Sequence, residues 1–186
     1  MKIEQSVLLP YAVEGMFDLI ERAEAYPQFI PWCTGATILE RSDDWVAARL
    51  EFNYLRLRFD FATRNPKQRP TWLQVCLVDG PFKQFQGTWT LTPLSDIGCR
   101  VAFVLSYELN ARLLEFATQP VIARVGRAMV DAFVRRAEAT LTELAPAQRA
   151  APPTGQAMAP AELPASAPWA PGTLPTREGD HDEPRH

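Results

Sequence analysis

The residues Tyr26–Cys33 read YPQFIPWC, a run of large apolar side chains interrupted by two prolines. Proline has no N–H to donate and biases the residue before it toward extended geometry, so this stretch suits neither an unbroken helix nor a central strand. We expect a short helix or turn that ends at Ile30 and leads into a strand. Such an irregular support is well suited to the rim of a cavity. The side chains that it would present there are Tyr26, Phe29 and Trp32.

On both sides of this stretch, the spacing of apolar residues predicts the other elements. Before it, residues 2–9 alternate as a strand, and residues 10–24 follow as a helix. The prolines within residues 65–70 predict a loop. The strands predicted after the stretch cover residues 37–41, 46–52, 57–63, 71–78, 84–91 and 101–107.

The folded part of the chain is expected to end in a long helix. The helical period begins at Ala111, and Pro120 either ends a short helix near Ala117 or kinks a longer one. Residues 121–144 then form the main helix, about 36 Å long. A twisted antiparallel sheet that is wider than the single helix covering it curls around that helix. The order of elements therefore predicts an α+β helix-grip fold, in which a curved antiparallel sheet wraps around a long C-terminal helix.

A change in composition near Leu144 divides the chain into two parts. Residues 1–144 have the size expected of one folded domain with a core. Residues 145–186 hold nine of the seventeen prolines, together with many alanines. Such a segment cannot bury enough apolar surface to offset the entropy lost on ordering. We expect a folded domain over residues 1–144 and a disordered Ala/Pro-rich tail over residues 145–186.

Charge and cysteine content restrict the partners and the compartment. The net charge is −3 and no basic stripe appears, which argues against DNA as a partner but leaves room for a local patch that binds a ribosome. The three cysteines lack metal-ligand spacing, and Cys33 is interpreted as a small buried apolar residue. No apolar run is long enough to cross a bilayer, and no signal sequence precedes the first strand. We expect a cytoplasmic protein.

The sequence offers no catalytic group with a suitable partner. Both histidines, His181 and His186, lie in the predicted tail, so the predicted domain has no histidine for general base catalysis or metal binding. An aromatase or cyclase would need an acid–base pair inside a cavity, and we find none in the sequence. We therefore predict a protein that is not an enzyme and has no catalytic residue, metal ligand or cofactor. Cyclase-type activity is the alternative that this prediction leaves open.

The apolar faces of the predicted strands carry many aromatic side chains. Large rings on the sheet face alanines on the helix, an arrangement compatible with two interpretations. The rings either interdigitate with the helix as an ordinary core or leave a tunnel between sheet and helix. The candidate tunnel residues on these elements are Phe59, Phe61, Phe85, Trp89, Phe103, Tyr107, Val125 and Met129.

A second motif, DGPFK at Asp79–Lys83, interrupts the two central strands. Gly-Pro breaks the strand ladder, and we expect Phe82 to tuck in beside Trp32 at the mouth of the cavity. The motif is either a hairpin turn with an apolar plug or an entrance at which Lys83 and the backbone offer polar contacts to a ligand headgroup. The two interpretations are compatible, and both Phe82 and Lys83 are candidate ligand-binding residues.

With YPQFIPWC, DGPFK and the GTW of Gly87–Trp89, residues 2–144 resemble the coenzyme Q-binding/ribosome association toxin family of the START-like, polyketide cyclase/dehydrase helix-grip superfamily. The resemblance implies a START-like domain whose tunnel binds an isoprenoid quinone such as ubiquinone. The implied role is a lipid chaperone that supports respiration or quinone biosynthesis, in the cytoplasm and in peripheral contact with the inner membrane. Where the family usually has an acidic residue before the first motif, this chain reads Glu21-Arg22-Ala23, and we assign that position no role.

The same resemblance implies an alternative of a different class, a toxin that binds the large ribosomal subunit and blocks subunit joining. Binding to a ribosome requires a positively charged surface. The candidate patch on the outer face of the sheet consists of Arg56, Arg58 and Arg64.

Overall fold

In a computed structural model, residues 1–54, 57–95, 97–110 and 119–144 are described. Among them are two α-helices, α1 at Val13–Glu21 and α2 at Gln119–Thr140, and a 3-10 helix at Ala23–Gln28. No helix in these ranges is long and apolar enough to cross a membrane. The strands are β1 Lys2–Leu9, β2 Cys33–Arg41, β3 Trp45–Tyr54, β4 Leu57–Gln68, β5 Trp72–Asp79, β6 Phe82–Pro93 and β7 Cys99–Leu109. The choice between a short and a kinked helix at 111–118 and the predicted tail at 145–186 lie outside the described residues.

The strands form one antiparallel sheet in the order β1-β7-β6-β5-β4-β3-β2. Strands β2 to β7 each lie beside the next strand in sequence. Strand β1 pairs with β7 and forms the edge of the sheet opposite β2. The segment that joins β1 to β2 therefore crosses the sheet, and it carries α1 and the 3-10 helix. Helix α2 follows β7 and buries residues on one side. This curved sheet with a C-terminal helix confirms the predicted α+β helix-grip fold.

Strand β7 illustrates why the sheet has one dry face. Its apolar residues alternate with more exposed ones, since successive side chains of a strand point to opposite faces. The ring of Phe103 stacks on Trp89 of β6 at 4.2 Å, and Phe133 of α2 meets Trp89 edge-on at 5.1 Å. Aromatic contacts thus connect the sheet to the helix at the centre of the core.

The central stretch takes the form that its prolines predict. The 3-10 helix contains Pro27 and ends at Gln28, and the backbone N–H of Ile30 donates to the Tyr26 carbonyl at 2.8 Å. The predicted helix over 10–24 is divided, because Arg22, with ψ of 68°, leaves helical geometry between α1 and the 3-10 helix. Strand β2 begins at Cys33, four residues earlier than the alternation predicted.

The predicted loop over residues 65–70 is wrong for residues 65–68, because β4 continues through Pro66 to Gln68, and only residues 69–70 form a turn. The N–H of Lys67 donates to the Asp44 carbonyl at 2.8 Å, so the ladder toward β3 continues past the proline. Backbone N–H groups alternate in direction along a strand, so the N–H that Pro66 lacks would have pointed toward β5. Proline at this position therefore removes one backbone hydrogen bond between β4 and β5, and the strand continues beyond it.

An ion pair ties α1 to the end of β4. The Lys67 ammonium donates to the Glu21 carboxylate, and the two side chains are only 3% and 11% exposed. Arg69 donates to the other oxygen of Glu21 and also to Asp18. Burial by itself raises the pKa of Glu21, but hydrogen bonds and charge from Lys67 and Arg69 outweigh it and hold the pKa below its ordinary value. Glu21 is therefore ionised at neutral pH.

The turn between β5 and β6 depends on Gly80. Its φ is +149°, and a Cβ built on it would lie 2.5 Å from the Cβ of Phe61. A side chain there would be strained by the backbone and would also push against β4. Glycine is therefore required at this turn, where the backbone of the DGPFK motif passes close to Phe61 of β4.

We expect Gly80→Ala to lower the free energy of unfolding by about 1–3 kcal/mol, since strained backbone and contact with Phe61 act together. Denaturant titration measures the change. Gly15→Ala is the matched control: its new Cβ would meet only the flexible end of Leu141, at 3.2 Å. Equal stability losses for the two variants would contradict the role given to Gly80.

We expect Glu21→Gln to lower the free energy of unfolding at pH 7 by about 3–5 kcal/mol, because it leaves the Lys67 charge buried without its partner. The wild-type contribution is complete above the ordinary glutamate pKa of 4.5 and is lost as the pH falls through the lowered folded-state value. The difference between wild type and variant should therefore shrink below about pH 4. Chemical denaturation across this pH range measures it.

The control for the ion pair replaces both charges with apolar side chains. The double variant Glu21→Leu, Lys67→Met should be more stable than Glu21→Gln, since it leaves no buried charge behind. A double variant as unstable as the single one would mean that the pair is not the source of the loss.

Candidate ligand cavity

A cavity of about 190 Å³ lies between the concave face of the sheet, the 3-10 helix region and α2. Its wall is almost entirely apolar. Ten of the thirteen residues predicted to bind ligand line it, namely Tyr26, Trp32, Phe59, Phe61, Phe82, Phe85, Trp89, Phe103, Tyr107 and Met129. The side chain of Val125 lies outside the described part of the chain. Of the two interpretations of the aromatic faces, a filled core and a tunnel, this geometry favours an open space.

Two predicted residues, Phe29 and Lys83, do not line the cavity. Phe29 packs edge-on against Tyr26 at 5.8 Å and against Phe133 at 5.1 Å, so it supports the wall from behind. Lys83 pairs with Glu108 at 3.0 Å, and its side chain is 60% exposed. Lys83 follows Phe82 on β6, and neighbouring residues of a strand face opposite sides, so Phe82 turns inward and Lys83 outward. The predicted polar contact at the entrance is therefore not formed by Lys83.

One end of the cavity is a cluster of aromatic rings, which we call the aromatic rim: Phe52, Phe59, Phe61, Phe82 and Phe85. Phe52 stacks on Phe61 at 5.4 Å, and Phe82 meets Phe61 edge-on at 5.5 Å. Most members of the aromatic rim are only half-buried, whereas Trp89 and Phe103 further along the wall are 3% exposed. The half-buried rings mark the side on which the cavity approaches the surface.

The other end, which we call the deep end, carries polar groups that the sequence did not predict. Glu21, Thr63 and Asn65 all contribute to the wall there. Asn65 lies six residues beyond Phe59 on β4, a distance of about 20 Å along a strand. Thr63 is 2% and Asn65 8% exposed, and the Oδ1 atom of Asn65 has no hydrogen-bond partner.

Asn65 of the deep end was missed because of Pro66. The prolines predicted a loop at 65–70, which removed Asn65 and Lys67 from the inner face of a strand. A signal was nonetheless present, since the inward alternation of Phe59 and Phe61 continues through Thr63 to Asn65. Extending the strand by this period would have found these residues.

The ionisable side chains of the described wall hold fixed protonation states near neutral pH. Glu21 is kept ionised by its two cationic partners. Burial raises the pKa of both Tyr26 and Tyr107, so their hydroxyl groups stay protonated. The Tyr26 hydroxyl donates to the Ile20 carbonyl at 2.5 Å. The described wall is thus suited to holding a neutral ligand, and it contains no pair that exchanges protons at pH 7.

Cys33, at the start of β2, is buried beside the cavity. Burial raises the pKa of its thiol to about 11, and the thiol donates to the Gly35 carbonyl at 3.5 Å. A thiol that stays protonated is a poor nucleophile. The structure thus agrees with the interpretation of Cys33 as a small buried apolar residue.

Comparison with known proteins connects this geometry to a family. Residues 9–134 match the model of a family described as polyketide cyclase/dehydrase and lipid transport. The chain is similar to the ribosome association toxin RatA of Escherichia coli K12, with 37% identity over 74% of this chain and 87% of the relative. It is more distantly similar to a mitochondrial coenzyme Q-binding protein, COQ10 homolog B of Xenopus laevis, with 23% identity over 74% of this chain and 58% of the relative.

A solved structure shares the fold. The Zhui aromatase/cyclase of a Streptomyces species superimposes with a TM-score of 0.64 at 15% identity, covering 74% of this chain and 93% of that one. At this identity the likeness concerns the fold alone. The matched family model, the RatA-type relative and the helix-grip architecture agree, and the chain belongs to the polyketide cyclase/dehydrase and lipid transport family.

Proposed function

We propose that this protein binds a neutral hydrophobic small molecule in its cavity and acts as a carrier without chemistry of its own. The observation that carries the proposal is the apolar cavity, open toward the aromatic rim, in a domain of a family described by lipid transport. The favoured ligand class is an isoprenoid quinone such as ubiquinone. The distant relative named as a coenzyme Q-binding protein supports this class.

The cavity volume bears on how such a ligand would fit. An engineered apolar cavity of about 150 Å³ holds benzene, so a space of about 190 Å³ accommodates a substituted ring but not a long prenyl chain as well. A prenyl tail therefore has to leave through the aromatic rim. Exposed tail at a cavity mouth is compatible with loading and unloading at a lipid surface, so we place the carrier in the cytoplasm with peripheral contact at the inner membrane.

Hydrophobic burial supplies the driving force. A ring-sized ligand that buries about 200 Å² of apolar surface gains about 5 kcal/mol before the costs of ordering. This corresponds to weak binding by the ring alone. Contacts between the tail and the aromatic rim then add affinity, since each buried methylene contributes about 0.8 kcal/mol.

We expect Ala48→Phe to abolish ligand retention while the protein stays folded. Ala48 is 1% exposed and lines the cavity, so a phenyl group there occupies the space instead of the ligand. Filling a void leaves stability unchanged or raises it slightly. Organic extraction of protein purified after incubation with membranes, followed by mass spectrometry, should recover a prenyl quinone or similar lipid from wild type and at least tenfold less from the variant.

Ala102→Phe is the matched control, since Ala102 lies on β7 between two inward residues and faces outward. It should retain as much lipid as wild type. A folded Ala48→Phe protein that retains the wild-type amount would contradict the cavity as the binding site. An empty wild-type extract after exposure to membranes would contradict lipid carriage.

A second candidate function is association with the large ribosomal subunit. The relative named as a ribosome association toxin, at 37% identity, favours it. Of the predicted arginine patch, Arg56 lies outside the described residues. Arg58 is exposed on the outer face of β4, and Arg64 lies with its guanidinium 3.7 Å from the ring centroid of Trp45. The two functions are compatible, because the cavity and this outer face lie on opposite sides of the sheet.

If the outer face of β4 binds ribosomes, Arg58→Glu should reduce co-sedimentation with large subunits by about fivefold or more, because a reversed charge repels the phosphate backbone. Lipid retention should not change. Arg100→Glu is the matched control, an exposed arginine of the same face on β7, three strands away and near the opposite end of the sheet. Equal sedimentation of both variants would exclude this face of β4 as the contact.

A further inference from the structure

The deep end of the cavity contains a buried polar side chain whose oxygen has no hydrogen-bond partner. Asn65 is 8% exposed and is one of the residues that line the cavity, and its Oδ1 atom makes no hydrogen bond. Leaving a buried amide oxygen unpaired is costly, and an apolar side chain of the same size would avoid that cost. Such a group is expected where a molecule other than the protein completes the hydrogen bond.

The neighbours of Asn65 add polarity without net charge. Thr63 precedes it on the same face of β4, and Glu21 borders the same end of the cavity. The Glu21 carboxylate is occupied by Lys67 and Arg69, and Arg69 is also bound to Asp18. Two carboxylates and two cations therefore neutralise one another. An additional charge on a ligand would find no counter-charge available in this group of residues.

From these observations we propose that the deep end is a headgroup site for a neutral, oxygen-bearing ring. The carboxamide of Asn65 hydrogen-bonds to a hydroxyl or carbonyl group of the ring, and the apolar tail of the ligand runs toward the aromatic rim. The inference rests on the proposed carrier function and deepens it, since it gives the ligand an orientation and a chemical class.

The orientation follows from where polar and apolar groups lie. The aromatic rim offers ring faces and edges to a flexible apolar chain, whereas Thr63 and Asn65 lie two and four residues beyond Phe61 on β4, about 7 and 13 Å further along the strand. Lys83, the polar residue that the sequence suggested for the entrance, is paired with Glu108 outside the cavity. A ligand with its polar end inward satisfies Asn65, and the reverse orientation leaves it unsatisfied.

The chemical class follows from space and charge. A volume of about 190 Å³ suits one substituted ring. A carboxamide can donate to a carbonyl and accept from a hydroxyl, so phenols, quinones and hydroquinones all fit. A carboxylate or an ammonium group would be desolvated without a partner, which excludes charged headgroups.

Three probes of matched shape test the headgroup site by isothermal titration calorimetry on the full chain at pH 7: 4-pentylphenol, pentylbenzene and 4-pentylbenzoate. In a purely apolar cavity the phenol binds more weakly than pentylbenzene, because its hydroxyl group loses its hydrogen bonds to water. With Asn65 as partner we expect the phenol to bind about tenfold more tightly than pentylbenzene. The charged benzoate should not bind.

The decisive variant is Asn65→Leu, which keeps the branching and the number of side-chain heavy atoms and removes the hydrogen bond. It should reverse the preference, so that pentylbenzene binds at least as tightly as the phenol. Asn53→Leu, the same exchange at an exposed position of β3, should keep the wild-type preference. Should Asn65→Leu fail to fold, the side-chain amide signal of Asn65 in a ¹⁵N-correlation spectrum provides a second measurement, since it should shift on addition of the phenol and not of pentylbenzene.

The outcomes separate this inference from the carrier function. A wild-type protein that binds pentylbenzene as tightly as the phenol, or binds the benzoate equally well, overturns the headgroup site but leaves a ligand-binding cavity. If the Asn65→Leu protein keeps the preference for the phenol, another residue makes the hydrogen bond, and the proposed headgroup site is again overturned. A protein that binds none of the three probes overturns the carrier function itself.

Discussion

The structure depends on a mismatch of width between one helix and a sheet of seven strands. A single helix is about 10 Å across, whereas seven strands at about 4.8 Å spacing extend much further, so the sheet has to curve to bring its dry face onto α2. Curvature brings the two layers together at Trp89, Phe103 and Phe133. Beside this contact the single helix does not fill the concave face, and the space left there is the cavity, whose wall includes these three rings.

The two ends of the cavity differ in polarity because of the side chains that β4 places along its wall. β4 supplies Phe59 and Phe61 to the aromatic rim and Thr63 and Asn65 to the deep end, all on the same inward face. The gradient from apolar to polar along β4 is continued by Lys67, whose charge is satisfied by Glu21 of α1. The segment that crosses from β1 to β2 is therefore fixed to the sheet at the polar end of the cavity. The alternation of side chains along β4 therefore determines both the residues that line the cavity and the ion pair that docks α1 on the sheet.

The parts of this molecule that follow from local periodicity were predictable, and those that depend on tertiary pairing were not. Alternating strands, the helical change of period and the breaking effect of the prolines in Tyr26–Cys33 led to the correct fold. The same proline rule failed at Pro66, because β4 stays paired with β3 through Pro66 and its pairing with β5 is interrupted only between Arg64 and Lys67. Lys83 failed for a simpler reason: chain proximity to Phe82 does not determine the face on which a side chain lies. Glu21 needed a partner 46 positions away in sequence, which no local pattern reveals.

The chain of rings described above also has a mechanical consequence. Tyr26 of the 3-10 helix touches Phe133 of α2 at 5.3 Å, and Phe133 touches Trp89 of β6, so three elements are joined through aromatic contacts. Displacing the 3-10 helix to widen the cavity would require these rings to separate together and the hydroxyl of Tyr26 to release the Ile20 carbonyl. Concerted motions of this kind occur in microseconds to milliseconds, far more slowly than the reorientation of a single side chain. The residence time of a bound molecule would then be governed by the opening rate of the protein as much as by the affinity of the ligand.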